Sequence, residues 1–214
     1  ASRAYIPRSV WAELEGPLVE ETASLAVGDP RDFTNFMGAV IDRRAFERIN
    51  GYIDRARGSR DAEVLVGGEA DGREGWFIRP TIIRAKKPDY VTMCEEIFGP
   101  VISIYVYDDA DWAKTLELVD RTSPYGLTGA VIARDRAAIQ EAIAELRDAA
   151  GNLYIIPADM GNLEAIFIKL EFSCNAGYPM QPIMRSSLFA LRCHHLHAKA
   201  YAENWNFIFN GLFL

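Results

Sequence analysis

Glu95-Glu96-Ile97-Phe98-Gly99-Pro100 leads directly into the alternating segment Val101–Tyr107. The alternation predicts a β-strand, because successive side chains of a strand point to opposite faces. The Gly-Pro pair predicts a turn just before that strand. An acid and an aromatic ring are thus brought together at the edge of a sheet, which suits holding a ribose and packing beside a flat heterocycle. Taken alone, the stretch is equally consistent with an ordinary solvated loop.

Strand and helix patterns alternate on either side of this stretch. Ser9 and Asp42 are candidate N-caps of two helices, and the Gly16-Pro17 pair is expected to kink or interrupt the first of them. Asp111 and Asp135 are expected to begin two further helices. Strands that alternate with helices predict an α/β fold built on a layered sheet. The predicted strands cover residues 4–7, 63–66, 77–83, 101–107, 127–133 and 153–155.

Composition limits the class of protein. The chain has 214 residues and a net charge of -7, and it lacks the clustered Lys and Arg of a nucleic-acid-binding surface. No run approaches the ~18 apolar residues of a membrane span, and the residues after Ala1 do not form a signal-peptide pattern. The three cysteines lack the spacing of a disulfide scaffold, which favours a reducing compartment. We therefore expect a soluble, intracellular protein with no nucleic-acid partner and no membrane span.

Further motifs surround the 95–100 stretch in a fixed order: Gly67-Gly68, residues 75–81, residues 123–128 and Gly151-Asn152. Their order and spacing resemble the C-terminal catalytic domain of the NAD(P)-dependent aldehyde dehydrogenase superfamily over residues 2–154. The resemblance implies an open, mostly parallel sheet with flanking helices, as part of an incomplete catalytic domain. It also implies NAD as the cofactor, a small-molecule aldehyde as the substrate and a homo-oligomer in the full-length enzyme.

Three segments refine the resemblance within the superfamily. Residues 28–30, 33–42 and 149–155 look most like the glutamate semialdehyde dehydrogenases, which oxidise L-glutamate gamma-semialdehyde to L-glutamate in proline catabolism. Two alternatives stay open at this point: an aldehyde dehydrogenase of other specificity, and a non-catalytic assembly fragment. The expected location is the cytoplasm, with the mitochondrial matrix as the alternative.

The resemblance gives the 95–100 stretch specific roles. It implies that Glu96 accepts hydrogen bonds from the nicotinamide ribose hydroxyls and that Phe98 lies beside the nicotinamide ring. Gly99 and Pro100 would fix the turn that aims both side chains. Glu95 is expected to be a solvated neighbour without a role of its own.

No residue of the chain is assigned a catalytic role. The family motif Cys-Ser-Ala-x-Ser-Arg ends in positions that match Ala1-Ser2-Arg3, so the nucleophilic cysteine is expected three residues before Ala1. The abrupt start suggests a fragment, and the chain is expected to be inactive alone. Cys94 is expected to be a structural thiol, because no cationic partner stands near it in the sequence.

Composition changes near Ile155. Residues 1–155 carry 45 charged residues and residues 156–214 carry 8, which predicts a partial catalytic domain followed by a divergent tail. The tail also lacks the glycine-rich loop that the family places after this strand. We interpret it as the product of a frame change or read-through, with a lineage-specific extension as the alternative. Its Cys193-His194-His195-Leu196-His197 run is not expected to bind metal, because adjacent side chains of an extended chain point apart.

Overall fold

A computed structural model describes residues 2–124, 126, 128–146, 152–157 and 165–170. These residues form five α-helices and nine strands, with a single 3-10 turn before the fourth helix. None of the helices in this described part is long and apolar enough to cross a membrane. In chain order the elements are β1 (Arg3–Pro7), α1 (Arg8–Ser24), α2 (Arg43–Arg57), β2 (Ala62–Val66), β3 (Ala70–Asp71), β4 (Phe77–Ile78), β5 (Thr81–Ala85), α3 (Val91–Cys94), β6 (Val101–Tyr107), α4 (Trp112–Arg121), β7 (Thr128–Ala133), α5 (Arg136–Leu146), β8 (Asn152–Pro157) and β9 (Ala165–Leu170).

Seven of these strands form one open sheet in the order β2-β5-β6-β1-β9-β7-β8. Strands β5, β6, β1, β7 and β8 run in one direction, whereas β2 and β9 run antiparallel to their neighbours. The expected α/β fold with an open, mostly parallel sheet is therefore confirmed. Strand β9 comes from beyond Ile155, the predicted domain boundary, and yet it lies inside the sheet between β1 and β7. The division of the chain at that residue stays a prediction.

Helices cover both faces of the sheet. Side chains of α1 pack on one face of the sheet with Ala4, Ile82 and Ile102. The next residue along each strand points to the opposite face. On the opposite face, α4 and α5 pack around Tyr5, while α2 packs on Ile83. Burial on both faces explains why the central strands are mostly apolar.

Helix α1 differs from its expectation in two ways. Pro7 is its N-cap, and Ser9 lies inside the first turn, where its hydroxyl and backbone N–H both donate to the Asp109 carboxylate. The helix also continues through Pro17, although proline removes one helical hydrogen bond. The buried stripe of Val10, Trp11, Leu14 and Leu18 holds both halves of the helix on the sheet and outweighs that loss.

Two further expectations met different outcomes. Asp42 caps α2 as predicted, with its Oδ1 accepting from the Ala45 N–H at 2.7 Å. The predicted strand over residues 77–83 is instead divided into β4 and β5. Pro80 lies at the break and has no N–H to donate to a neighbouring strand.

Candidate functional site

The segment from Glu95 to Pro100, called here the 95–100 loop, joins α3 to the amino end of β6. Backbone hydrogen bonds fix both of its ends. The Glu95 N–H donates to the Val91 carbonyl at 2.9 Å, and the Thr81 N–H of β5 donates to the Pro100 carbonyl at 2.8 Å. The loop therefore follows a defined path along one edge of the sheet.

Side chains of the loop alternate between the core and the surface. Ile97 is 3% exposed and packs in the same cluster as Ile49 and Ile53 of α2. Glu96 is half-buried, with its Oε1 shielded from solvent, and Phe98 is 58% exposed. Ile97 thus anchors the loop. Glu96 and Phe98, the two residues predicted to contact the cofactor, lie directly before and after it.

Phe98 combines an exposed ring with an unfavourable backbone. Its φ is +53°, and no other non-glycine residue among those that the structure describes has a positive φ. For a residue with a Cβ this conformation costs about 1–2 kcal/mol. Because the Phe98 ring is largely exposed, its burial offsets little of this cost. Strain of this kind concentrates at functional sites, and a ring held in the open fits a flat ligand that packs beside it.

Gly99 lets the loop approach α2 closely. A Cβ added at this position would lie 2.5 Å from Cδ1 of Ile49, which is closer than real side chains come. Ile49 is fully buried and has little room to move away. Close packing against Ile49 therefore requires a residue without a Cβ at position 99, in addition to the turn expected from the sequence.

Two side chains of α2 hold the loop, and sequence analysis identified neither. Arg48 donates from Nη1 to the Ile97 carbonyl at 2.5 Å, and the Tyr52 hydroxyl donates to Oε2 of Glu95. The hydrogen bond to Glu95 raises the pKa of Tyr52, and partial burial raises it further. Glu95 is exposed, as expected of a solvated neighbour, but it also has this partner. The i,i+4 spacing of the pair places both on one helical face but does not reveal what that face meets.

Arg3 connects the start of β1 to the same region. Its side chain is fully buried, and Nη1 donates to the Met93 carbonyl in α3 at 2.5 Å. The Ser103 N–H of β6 donates to the Ser2 carbonyl at 2.9 Å. The amino ends of β1 and β6 and the 95–100 loop therefore lie together at one edge of the sheet.

The glycine motif at residues 67–68 has a packing role. Gly67 has a φ of +78°, and a Cβ there would come closer to the Pro80 carbonyl oxygen than any real contact allows. The Gly68 N–H donates to Oγ1 of Thr81 at 2.8 Å. Arg79 donates to the carbonyls of Ala23 and Leu25 at the end of α1. These residues fix β5 against β2 and α1, and the Thr81 N–H of β5 meets the 95–100 loop at the Pro100 carbonyl.

Cys94 is half-buried beside the loop. Burial raises the pKa of its thiol, while the nearby Arg3 charge acts weakly in the opposite direction. A raised pKa keeps the thiol protonated and poorly nucleophilic at neutral pH. Cys174, Cys193 and the three histidines lie outside the described residues. Within the part of the chain that the structure describes, no group of three or more His, Cys, Asp or Glu side chains is placed to hold a metal ion.

Comparison with known proteins identifies relatives of this chain. The sequence model of the aldehyde dehydrogenase family matches residues 1–167. The chain is 50% identical over 154 residues to the mitochondrial delta-1-pyrroline-5-carboxylate dehydrogenase of Dictyostelium discoideum, covering 72% of this chain and 28% of that protein. It is 47% identical over 163 residues to the human mitochondrial enzyme of the same name, covering 76% of this chain and 29% of that protein. The chain thus spans less than a third of the length of these relatives.

Solved structures give the same result for the fold. Delta-pyrroline-5-carboxylate dehydrogenase from Mycobacterium tuberculosis, bound with NAD, is 36% identical with a TM-score of 0.67, covering 85% of this chain and 38% of that chain. Lactaldehyde dehydrogenase from Escherichia coli is 26% identical with a TM-score of 0.67, covering 75% of this chain and 32% of that chain.

Proposed function

Because this chain belongs to the aldehyde dehydrogenase family, we propose that it forms the cofactor-facing part of an NAD-dependent enzyme that oxidises L-glutamate gamma-semialdehyde (delta-1-pyrroline-5-carboxylate) to L-glutamate. Relatives that are 50% and 47% identical carry the delta-1-pyrroline-5-carboxylate dehydrogenase name. The similar protein from Mycobacterium tuberculosis was solved with NAD bound. We assign the activity to the gene product that contains this chain, since the chain covers less than a third of the two named relatives.

The 95–100 loop supplies the contacts to the cofactor in this proposal. The carboxylate of Glu96 would accept hydrogen bonds from both hydroxyls of the nicotinamide ribose, since a carboxylate has acceptor sites for two donors. The ring of Phe98 limits where the nicotinamide can lie, and hydride transfer depends strongly on such positioning. NAD, when bound, accepts the hydride. The observation that carries this proposal is the exposed Phe98 ring held at a φ of +53° beside the half-buried Glu96.

The covalent step requires a residue that we do not assign within the chain. We propose that the nucleophilic cysteine lies three residues before Ala1, since Ala1-Ser2-Arg3 resembles the end of the family motif. The contact between Arg3 and the Met93 carbonyl supports this proposal, because it brings the start of β1 close to the 95–100 loop. The family's cysteine and the cofactor contacts would then share one edge of the sheet.

Substrate specificity is tested on the purified gene product. NADH formation is measured with L-glutamate gamma-semialdehyde, lactaldehyde and betaine aldehyde under identical conditions. We expect kcat/KM for L-glutamate gamma-semialdehyde to exceed the other two by at least about tenfold, since a site built for a carboxylate rejects substrates that leave its polar groups unpaired. A preference for another aldehyde would establish the alternative specificity. Absence of NADH with all three would favour a non-catalytic assembly fragment.

Contact between the loop and the nicotinamide is tested on the 214-residue chain itself. Nicotinamide mononucleotide is a suitable probe, because it contains only the ribose and ring that Glu96 and Phe98 are proposed to meet. Saturation-transfer NMR should show the strongest transfer to the nicotinamide ring protons in the wild-type chain, and a loss of that transfer in Phe98→Ala. Equal transfer in the two proteins would contradict the proposed role of Phe98.

Location and assembly complete the proposal. Several relatives are named as mitochondrial proteins, which supports the mitochondrial matrix over the cytoplasm. Immunoblotting of separated mitochondrial and cytosolic fractions distinguishes the two locations.

We also propose a homo-oligomer for the gene product, and light scattering of the purified protein measures its mass directly.

A further inference from the structure

We propose that helix α2 positions the nicotinamide-facing loop through Arg48 and Tyr52, which makes these two side chains positioning residues for cofactor binding. This inference rests on the proposed function of the 95–100 loop. Neither side chain is assigned a contact with the cofactor or the substrate. Their effect passes through the Ile97 carbonyl and the Glu95 carboxylate, respectively.

Arg48 acts on the backbone unit that determines the conformation of Phe98. The Ile97 carbonyl belongs to the peptide plane between Ile97 and Phe98, and rotation of Phe98 relative to that plane defines its φ. A guanidinium at 2.5 Å holds the plane through a hydrogen bond to a charged group, which is stronger than one between neutral groups. The unusual φ of +53° therefore has an identified support.

Tyr52 acts on the other end of the loop. Its hydroxyl donates to Glu95, the residue directly before Glu96. Arg48 and Tyr52 lie one helical turn apart, so they reach the loop from the same face of α2. Beyond the Ile97 carbonyl, the Ile49 side chain packs where Gly99 lacks a Cβ. The loop is thus held at three successive points by one helix.

The hydrogen bonds of Arg48 and Tyr52 are separate from the apolar contacts that hold α2 in the fold. Ile49, Ile53 and Ala56 are buried in the core and attach the helix to the sheet. Removal of the Arg48 guanidinium leaves these contacts in place, so a change at the loop can be distinguished from unfolding. Arg44 lies one turn earlier on α2 and is exposed, and it makes no hydrogen bond or ion pair with the residues that the structure describes. It is the matched control position.

The first readout is the hydrogen exchange of loop amides, measured by mass spectrometry on the 214-residue chain. We expect Arg48→Ala to accelerate exchange at residues 97–101, where the Val101 N–H donates to the Gly99 carbonyl, by about tenfold, the ratio that corresponds to losing one hydrogen bond to a charged group. Arg44→Ala should leave these rates unchanged, and Arg48→Lys should restore part of the protection because its ammonium retains one donor. Tyr52→Phe should accelerate exchange mainly at residues 95–96. Unchanged exchange at residues 97–101 in Arg48→Ala would overturn the inference.

The second readout is cofactor binding, measured on the same variants. We expect Arg48→Ala to weaken the affinity for nicotinamide mononucleotide by about tenfold, with partial rescue by Arg48→Lys. In the gene product, KM for NAD should rise while KM for the aldehyde stays constant, whereas a loss of folded enzyme would lower kcat alone. Altered exchange with unaltered affinity would refute cofactor positioning. Failure of the wild-type chain to bind the probe would instead count against the proposed function, and the exchange rates would still report on the loop.

Discussion

At the scale of single residues, Phe98 is held in place at a measurable free-energy cost. Its positive φ opposes folding by about 1–2 kcal/mol, and its ring remains largely in solvent. Neighbouring residues overcome this cost, because Ile97 is buried in the core and its carbonyl accepts from Arg48. The local conformation is therefore a product of tertiary contacts and not of the preference of Phe98 itself.

Glu96→Gln provides a direct test of the ribose contact. The amide keeps the size of the carboxylate but removes its charge, so hydrogen bonds from the ribose hydroxyls become weaker. We expect the affinity for nicotinamide mononucleotide to fall about tenfold in an NMR titration of the 214-residue chain. Glu47→Gln is the control, because Glu47 is an exposed carboxylate on α2 whose 4.0 Å ion pair with Arg43 lies on the helix surface. Similar losses in both variants would point to a general charge effect.

Roles could be predicted for residues that stand close together in the sequence, but not for contacts between residues far apart in it. Glu96 and Phe98 stand in one short motif, so the resemblance could assign them roles, which stay predictions. Arg48 is 49 positions away from Ile97, and Tyr52 is 43 positions away from Glu95. Their contacts exist only after α2 packs beside the loop, and no local pattern records that packing.

At the scale of elements, the junction between β2 and β5 depends on Gly67. Alanine at this position would combine a positive φ with a Cβ that overlaps the Pro80 carbonyl, so the backbone would have to shift. We expect Gly67→Ala to lower the free energy of unfolding by about 3 kcal/mol in a denaturant titration. Gly51→Ala in α2 is the control, since a Cβ there meets nothing within 4 Å and should raise stability by up to about 1 kcal/mol.

The hairpin of β3 and β4 offers a test of electrostatics. Hydrogen bonds from the Arg73 side chain, and then from its backbone, lower the pKa of Asp71 from 3.8 to about 2. A lowered carboxyl pKa favours the folded state above 3.8, and this contribution disappears as the pH falls through about 2. We expect Arg73→Ala to return the pKa of Asp71 most of the way to 3.8, as followed by NMR of its carboxyl carbon. A titration midpoint that stays near 2 would show that the guanidinium is not the cause.

Element boundaries were predicted well where local signals agree with packing. Asp42 begins α2 as expected because its capping hydrogen bond requires only neighbouring residues. The predicted interruption of α1 at Pro17 is wrong, because burial of the Val10, Leu14 and Leu18 face outweighs one missing hydrogen bond, and a kink there stays a prediction. Burial on the sheet is a tertiary quantity, so the sequence around Pro17 does not contain it.

At the scale of the whole molecule, the sheet depends on a strand that follows the predicted domain boundary. Strand β9 forms hydrogen-bonded ladders with both β1 and β7, so it joins four strands on one side to two on the other. We expect a chain ending at residue 157 to lose cooperative thermal unfolding by circular dichroism, because β1 and β7 become open edges. A chain ending at residue 170 retains β9 and should keep a single transition. Equal behaviour of the two chains would support a domain that ends near Ile155.

The position of β9 also affects the order of events during synthesis. Strands β5, β6 and β1 can pair once residue 107 has left the ribosome, and β7 and β8 can pair after residue 157. The two parts are joined in the middle by the last strand of the described chain, whose pairing with β1 spans more than 150 residues of sequence. At a synthesis rate of about 5–20 residues per second, β1 waits at least several seconds for that partner. During this interval its unpaired edge is a target for chaperones and for other nascent chains.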